Sequence, residues 1–283
     1  MSISENIDRK HQEDLQRLKS FRLIDDDFFN KCFEGNIGCM ELILQIILNM
    51  PDLKVLDVRT QVFAENLLNR SVRLDILATD NNERKFNVEI QRSDKGASRK
   101  RARYNSSMMD ASLLEKGSDF SALPETFVIF ITERDVMGEG LPVYPVERCI
   151  LNTKKLFCDG SHIMYVNGAY RDDSPIGKLM HDFSCTDPKD MHYDILANRV
   201  RFFKEEKEGI TVMCKAMEEM RDQSLKEGRE LGLQEGITLG KLEGIQESAL
   251  RMLKAGKYAL DEIVSISGLS LEEVQKLKVE KSL

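Results

Sequence analysis

Two acidic residues, Asp75 and Glu89, stand in neighbouring segments that alternate between polar and apolar side chains. This period of two predicts β-strands that each have one polar and one apolar face. Residues 80–82, Asp-Asn-Asn, lie between the two segments and suit a hairpin loop. Pairing the apolar faces places Asp75, Glu89 and Gln91 on the same side of the sheet, where their side chains can act together.

Two carboxylates on adjacent strands repel each other, and burying either one is costly unless something compensates the charge. A hard divalent cation such as Mg²⁺ provides this compensation because it prefers oxygen ligands. Such an ion can polarise a phosphate and lower the pKa of a bound water. The same alternation also fits an amphipathic hairpin with a solvated polar face, so periodicity alone leaves both interpretations open.

A resemblance to a known family favours the first interpretation. An acidic residue on one strand followed by Glu-x-Lys on the next is the signature of PD-(D/E)xK nucleases, and Asp75 followed by Glu89-Ile90-Gln91 resembles it. The chain also resembles the bacterial recombination-promoting nuclease and putative transposase family, from about Phe21 to the Gly-rich tail. The matching segments are RLDI at 73–76, VEIQ at 88–91, KRARY at 100–104 and TFVIFIT at 126–132.

The resemblance implies an α/β fold, a restriction-endonuclease-like mixed sheet flanked by helices. It also implies a metal-dependent DNA endonuclease linked to recombination or mobile elements. Asp75 and Glu89 would bind Mg²⁺ or Mn²⁺, with the Ile90 carbonyl as a further ligand. Gln91 would orient water or phosphate by hydrogen bonding. It stands where many such nucleases have Lys, and glutamine carries no positive charge. The alternative is a cleavage-deficient DNA-binding or oligomeric interaction protein.

Residues 38–50 predict a mostly buried helix that stops before Pro51, because proline disfavours helix at the preceding residue. Glu41 and Gln45 are four residues apart and share a face of this helix. Both residues can simply mark its solvent side. In the nuclease fold that the chain resembles, an acidic residue on the first helix often joins the carboxylate pair, which would make Glu41 a third metal ligand.

A basic segment follows the second strand of the hairpin. Residues 96–114 predict a helix on which Arg99 and Arg103 share one face and Lys100 and Tyr104 share a neighbouring one; Arg101 lies on the same helix. Guanidinium groups suit phosphate oxygens, and a tyrosine can stack or donate a hydrogen bond. A solvated charged face is the alternative. The resemblance favours DNA binding by Arg99, Arg101, Arg103 and Tyr104.

The remaining segments predict an α/β domain over residues 1–203. Residues 126–132 are a continuous apolar run typical of a central strand, whereas the two prolines in 142–148 fit an edge strand or a connection. Another short strand is expected at 162–166. Helices are expected over 177–183 and 193–203.

The tail, residues 204–283, has a different composition. Its glycines recur every four residues, at Gly228, Gly232, Gly236, Gly240 and Gly244. Each glycine within a helix costs about 1 kcal/mol relative to alanine, but a glycine stripe lets another helix approach closely. The tail is therefore either a helical module for homo-oligomerisation or a flexible linker. Two short helices end the chain, and a packing module is favoured over a DNA-reading helix pair.

The composition limits the remaining function classes. The chain has 283 residues and a net charge of −7, which argues against a nonspecific DNA coat but allows local basic contacts. Its six cysteines form no CxxC pair and its four histidines are scattered, so zinc-ligand spacing is absent. We expect reduced thiols in a cytoplasmic protein. The longest apolar run, 42–50, is too short to span a membrane.

Overall fold

A computed structural model describes residues 3–64, 71–92 and 96–280. The chain divides into two compact units, one reaching Lys215 and the other starting at Ala216. Residues 1–2, 65–70 and 93–95 of the predicted domain over 1–203, and residues 281–283 of the predicted tail over 204–283, lie outside the described residues.

The first unit combines helices with a sheet. Its helices are α1 (Ile3–Ser20), α2 (Asp26–Phe33), α3 (Ile37–Leu48), α4 (Arg99–Leu113), α5 (Pro175–Ser184), α6 (Asp194–Glu205) and the beginning of α7 (Lys207–Ala255). Its strands are β1 (Val55–Ala64), β2 (Val72–Asp80), β3 (Lys85–Gln91), β4 (Thr126–Thr132), β5 (Val143–Val146), β6 (Cys149–Ile150), β7 (Lys155–Leu156) and β8 (Ser161–Asn167). Short 3-10 helices lie at Phe120–Ala122 and Pro188–Asp190.

Six strands form one mixed sheet in the order β1-β2-β3-β4-β8-β5. The β1–β2, β2–β3 and β5–β8 pairs are antiparallel, whereas β3–β4 and β4–β8 are parallel. Helix α4 packs on β4 and β8, and α2 and α3 pack on β1. The predicted α/β class, a mixed sheet flanked by helices with a helical C-terminal region, is confirmed, and it is consistent with a restriction-endonuclease-like fold.

The predicted strand positions are also confirmed. All seven side chains of β4 are buried, as expected for a central strand with two covered faces. Strand β5 contains Pro145 and lies at the edge of the sheet, where a missing backbone N–H is tolerated. In the hairpin, Ile76 lies opposite Val88 and Ala78 opposite Phe86, so the apolar residues share one face.

Local sequence signals set the helix ends. The side chain of Asn36 accepts a hydrogen bond from the Cys39 N–H at the start of α3, and Ser98 accepts one from Arg101 at the start of α4. Helix α3 ends at Asn49, which adopts the left-handed conformation shortly before Pro51. These caps set the ends of α3 and the start of α4, the two helices predicted to carry site residues.

The second unit is helical. Helix α7 continues through the glycine stripe to Ala255, and α8 (Leu260–Ser267) and α9 (Leu271–Glu280) follow. Ala249, Ile263, Leu269 and Val274 form a small buried cluster. Ser270 and Glu273 cap α9 reciprocally, as the sequence predicts. None of the described helices is both long and apolar enough to cross a lipid bilayer.

Candidate active site

The hairpin brings Asp75 and Glu89 to the same face of the sheet. The β2–β3 register pairs Ile76 with Val88, and continuing it by one residue places Asp75 opposite Glu89. Asp75 is 6% exposed and Glu89 is 0% exposed. The alternation of polar and apolar residues therefore predicted the shared face correctly, while the burial of both carboxylates is a result of the tertiary fold.

Both carboxylate oxygens of Glu89 are engaged. Oε1 accepts a hydrogen bond of 3.1 Å from the side-chain amide of Asn87. Oε2 lies 2.8 Å from a guanidinium nitrogen of Arg101 on α4. Arg101 also donates to the Gly96 carbonyl and lies over the Phe130 ring, which fixes the guanidinium against the sheet. Glu89 is thus held in one orientation by a neutral and a charged donor.

Asp75 has a weaker set of partners. Its Oδ2 accepts the backbone N–H of Ile90 at 3.2 Å. Burial and the charges of Glu89 and Asp26 together raise the pKa of Asp75 to about 8. The Ile90 N–H and Arg101 oppose this increase only in part. A carboxylate with this pKa is in an environment that disfavours its negative charge.

Burial also raises the pKa of Glu89, although Arg101 and Asn87 oppose this shift. Both adjacent carboxylic acids have raised pKa values. In the described part of the chain, the Arg101 guanidinium contacts Glu89 and acts on Asp75 only through its charge. A further positive charge would therefore stabilise the ionised pair. Perturbed pairs of this kind are concentrated at functional sites.

The third acidic group near the pair is Asp26 on α2, and sequence reasoning missed it. Burial and the neighbouring Asp27 raise the pKa of Asp26, whereas Arg73 and Arg101 lower it. The available signal is the acidic run at residues 25–27, which is typical of a helix N-terminus and lies at the start of α2. Its position beside the pair depends on the packing of α2 against β2 and β3.

Glu41 lies elsewhere, so its predicted contact with the pair is wrong. Lys54 donates to its Oε1 at 2.9 Å, and the backbone N–H of Val55 donates to its Oε2 at 3.0 Å. Val55 pairs with Asp80, five residues along β2 from Asp75, a separation of about 16 Å along a strand. Glu41 therefore anchors the beginning of β1 to α3.

Gln91 lies at the end of β3, where it is half-buried and pairs with Thr132 of β4. The next residue, Arg92, does not replace the missing lysine, because its guanidinium is engaged by Asp25 and Glu133 at 3.1 and 3.6 Å. Among the residues that the structure describes, Arg101 contacts the pair directly, through Glu89.

The predicted DNA-binding residues separate into two groups. Arg99 and Arg103 are exposed on α4, and Tyr104 is half-buried beside them. Arg101 turns inward to Glu89. The structure thus brings together Asp75, Glu89 and Arg101 and leaves Arg99 and Arg103 on the outer surface of the same helix.

A comparison with models of known protein families finds a match, and it includes the hairpin that carries Asp75 and Glu89. Residues 40–168 match the family model described as PD-(D/E)XK nuclease family transposase. The chain resembles this family over that segment. The match covers the hairpin, α4 and strands β4 to β8. No curated protein and no solved structure matches the chain.

The residues at the PD-(D/E)XK motif positions fit a hard divalent cation. Asp75 and Glu89 supply carboxylate oxygens, and the buried side-chain oxygen of Asn87 lacks a hydrogen-bond partner in the part of the chain that the structure describes. Oxygen donors are what Mg²⁺ and Mn²⁺ prefer. Proteins of this superfamily generally use divalent metals, and the donor set here is of the same type.

Proposed function

We propose that the chain is a metal-dependent DNA endonuclease that hydrolyses phosphodiester bonds in recombination or in the movement of mobile elements. The observation that carries this proposal is the buried pair Asp75 and Glu89, whose pKa values are raised by burial. The match to PD-(D/E)XK nuclease family transposases over residues 40–168 supports the same reaction class and DNA as the substrate.

In this proposal Asp75 and Glu89 hold Mg²⁺ or Mn²⁺, with Asp26 as an outer acidic group and the Ile90 carbonyl as a further ligand. A bound ion of this kind stabilises charge on a phosphate and lowers the pKa of a water molecule. Asn87 keeps Glu89 in position through its 3.1 Å hydrogen bond.

Arg101 supplies the positive charge that Gln91 lacks. Its guanidinium is 2.8 Å from Glu89 and has five N–H donors, so it can keep this contact and also donate to a phosphate oxygen beside the pair. Gln91 lies on the same strand, two residues after Glu89, and orients water or phosphate by hydrogen bonding. Together these residues provide the charge and orientation that a lysine provides in the common signature.

Arg99, Arg103 and Tyr104 bind the DNA backbone in this proposal. The two arginines are exposed on α4, the helix whose Arg101 contacts the carboxylate pair. Phosphate contacts of this type position DNA without reading its sequence, and their contribution weakens as salt increases. The overall charge of −7 makes a local basic surface more important for binding.

Residues 204–283 act as an oligomerisation module in this proposal, beside a nuclease-like domain over 1–203. A run of exposed apolar side chains accompanies the glycine stripe of α7: Leu225, Leu231, Leu233, Ile237, Leu239, Leu242 and Ile245. Sedimentation of the full chain at several concentrations tests self-association. A monomer at every concentration would contradict it.

The deciding experiment measures cleavage of supercoiled and linear DNA with Mg²⁺, with Mn²⁺ and with EDTA. It compares the wild type with Asp75→Asn and Glu89→Gln. Asp57→Asn is the matched control, because Asp57 is an exposed strand carboxylate that pairs with Arg59 on β1. We expect metal-dependent nicking in the wild type and the control, and its loss in the two site variants.

The alternative function is a DNA-binding protein that has lost cleavage, and Gln91 is the observation that favours it. A wild type that binds DNA with strong salt dependence but never cuts it would support this alternative and overturn the endonuclease. Cleavage that persists in EDTA or in both site variants would also contradict the proposal.

A further inference from the structure

Three side chains with metal-ligand atoms meet at the carboxyl end of α5, outside the residues of the candidate active site. His181 and Asp182 lie in the last turn of the helix, and Cys185 is its C-cap residue. The Cys185 Sγ is 3.4 Å from His181 Nδ1, and the same nitrogen is 3.5 Å from Asp182 Oδ1. The three ligand atoms all lie within 4.8 Å of one another.

The local fold explains this arrangement. His181 and Cys185 are four residues apart, so the helix places their side chains one above the other. The buried carboxylate of Asp182 accepts the backbone N–H groups of His192 and Tyr193 at 2.8 and 2.9 Å. These bonds fold the segment after α5 back onto the helix end and bring the His192 ring to 4.7 Å from the His181 ring, measured between centroids.

Two of the three distances between ligand atoms agree with tetrahedral coordination. An ion about 2.3 Å from sulfur and about 2.0 Å from nitrogen and oxygen separates neighbouring ligands by roughly 3.3–3.6 Å. The Cys185–His181 and Asp182–His181 distances are 3.4 and 3.5 Å. Each oxygen of Asp182 accepts one backbone N–H, and a carboxylate oxygen has a second lone pair for a metal.

We propose that His181, Asp182 and Cys185 bind a Zn²⁺ ion, with water in the fourth position. A thiolate, an imidazole and a carboxylate form a donor set that suits zinc, unlike the all-oxygen set at Asp75 and Glu89. The scattered positions of the histidines in the sequence predicted no ligand spacing, but the end of α5 brings one of them together with Asp182 and Cys185. Cys185 is half-buried and His192 is exposed, so an ion can enter from solvent.

The surroundings of the thiol are negative. Burial raises the pKa of Cys185 to about 11, and Asp182, Asp190 and Asp187 add to the increase, while Arg171 lowers it. The acidic groups that disfavour a free thiolate also attract a cation, and a bound metal replaces the thiol proton.

Cobalt substitution tests this site directly. Co²⁺ is added to the metal-free full chain, and the absorption spectrum is followed for thiolate-to-cobalt charge transfer and for the bands of tetrahedral Co²⁺, then for their loss when Zn²⁺ is added. We expect one cobalt–thiolate site per chain. The variants Cys185→Ser and His181→Asn should weaken binding by more than the roughly 10–100-fold that loss of a supporting partner costs.

Two controls separate this site from others. Cys214→Ser removes another half-buried cysteine and should leave the cobalt spectrum unchanged. Asp75→Asn should also leave it unchanged, so the result is independent of the nuclease proposal. A wild type without a charge-transfer band, or a band that survives in Cys185→Ser, would overturn the zinc site.

A second measurement does not depend on the folding of variants. Alkylation of the wild type, followed by mass spectrometry of its peptides, gives the reaction rate of each thiol with and without Zn²⁺. Zinc should slow alkylation of Cys185 and leave the exposed Cys149 and Cys158 unprotected. Equal rates at Cys185 in both conditions would contradict the proposal.

Discussion

Strand β2 carries two buried carboxylates, and their surroundings differ. Asp80 is 0% exposed and Asp75 is 6% exposed. The Oδ1 of Asp80 accepts the backbone N–H groups of Asn82 and Arg84, and its Oδ2 accepts the Arg84 guanidinium at 2.6–2.7 Å. Asp75 has one backbone donor and faces a second acid, Glu89.

The difference separates a structural carboxylate from a candidate functional one. At Asp80 the charge is balanced inside the fold, and the hydrogen bonds close the hairpin loop. At Asp75 the negative charge is poorly compensated, so a bound cation would stabilise the ionised carboxylate more here than at Asp80. Burial alone therefore does not separate the two kinds of carboxylate, whereas the number of hydrogen-bond donors around each one does.

The largest expected effect comes from breaking the balanced carboxylate. Asp80→Asn leaves the Arg84 guanidinium, only 15% exposed, without its ionic partner. The free energy of unfolding should fall by about 3–5 kcal/mol, the usual cost of breaking a buried ion pair. Urea denaturation of the metal-free chain measures it. Asp75→Asn is the matched variant and should not destabilise, since it removes repulsion and keeps an acceptor for Ile90.

Removing the cation beside Glu89 should have the next largest effect. Arg101→Gln should reduce the rate of metal-dependent cleavage by about 10²–10³-fold, as expected when a group that stabilises developing charge is lost. Single-turnover cleavage at saturating DNA measures this rate. Arg103→Gln, an exposed arginine on the same helix, should instead weaken DNA binding and its salt dependence. Equal effects of both variants on the rate would contradict a special role for Arg101.

The raised pKa of Asp75 predicts how stability changes with pH. Its folded pKa is about 8 and its unfolded pKa is about 3.9, so the folded state binds more protons between these values. The contribution of Asp75 is therefore fully present below about pH 4 and is lost as pH rises toward 8.

Thermal unfolding of metal-free protein from pH 4 to pH 8 checks this expectation. The wild type should lose more stability across the range than Asp75→Asn does, and Mg²⁺ at pH 8 should restore more in the wild type. The same pH dependence in both proteins would place the poorly compensated charge somewhere other than Asp75.

The smallest expected effect concerns Glu41. Its pair with Lys54 is solvent-exposed on the lysine side, so Glu41→Gln should lower the free energy of unfolding by no more than about 1 kcal/mol. Cleavage should stay close to the wild-type rate, because Glu41 holds the start of β1. A Glu41→Gln variant that folds normally but loses metal-dependent cleavage would show that Glu41 acts at the metal site after all.

The sequence by itself determined the hairpin, the shared face of Asp75 and Glu89 and the buried strand β4, and it limited residues 142–148 to an edge strand or a connection. These features follow from periodicity, proline positions and capping residues, which act over a few neighbouring residues. The motif resemblance then indicated a nuclease of the PD-(D/E)xK type, and the family match over residues 40–168 supports that class.

Only the tertiary structure decided which distant side chains complete the site. Arg101 on α4 contacts Glu89 on β3, and Asp26 on α2 lies near enough to raise the pKa of Asp75. Glu41, which was predicted to join the pair, forms an ion pair with Lys54. Each contact depends on the direction and depth at which a helix packs on the sheet. Local periodicity specifies the face of an element but not its neighbour, so the surroundings of the carboxylates became visible only when the helices were in place.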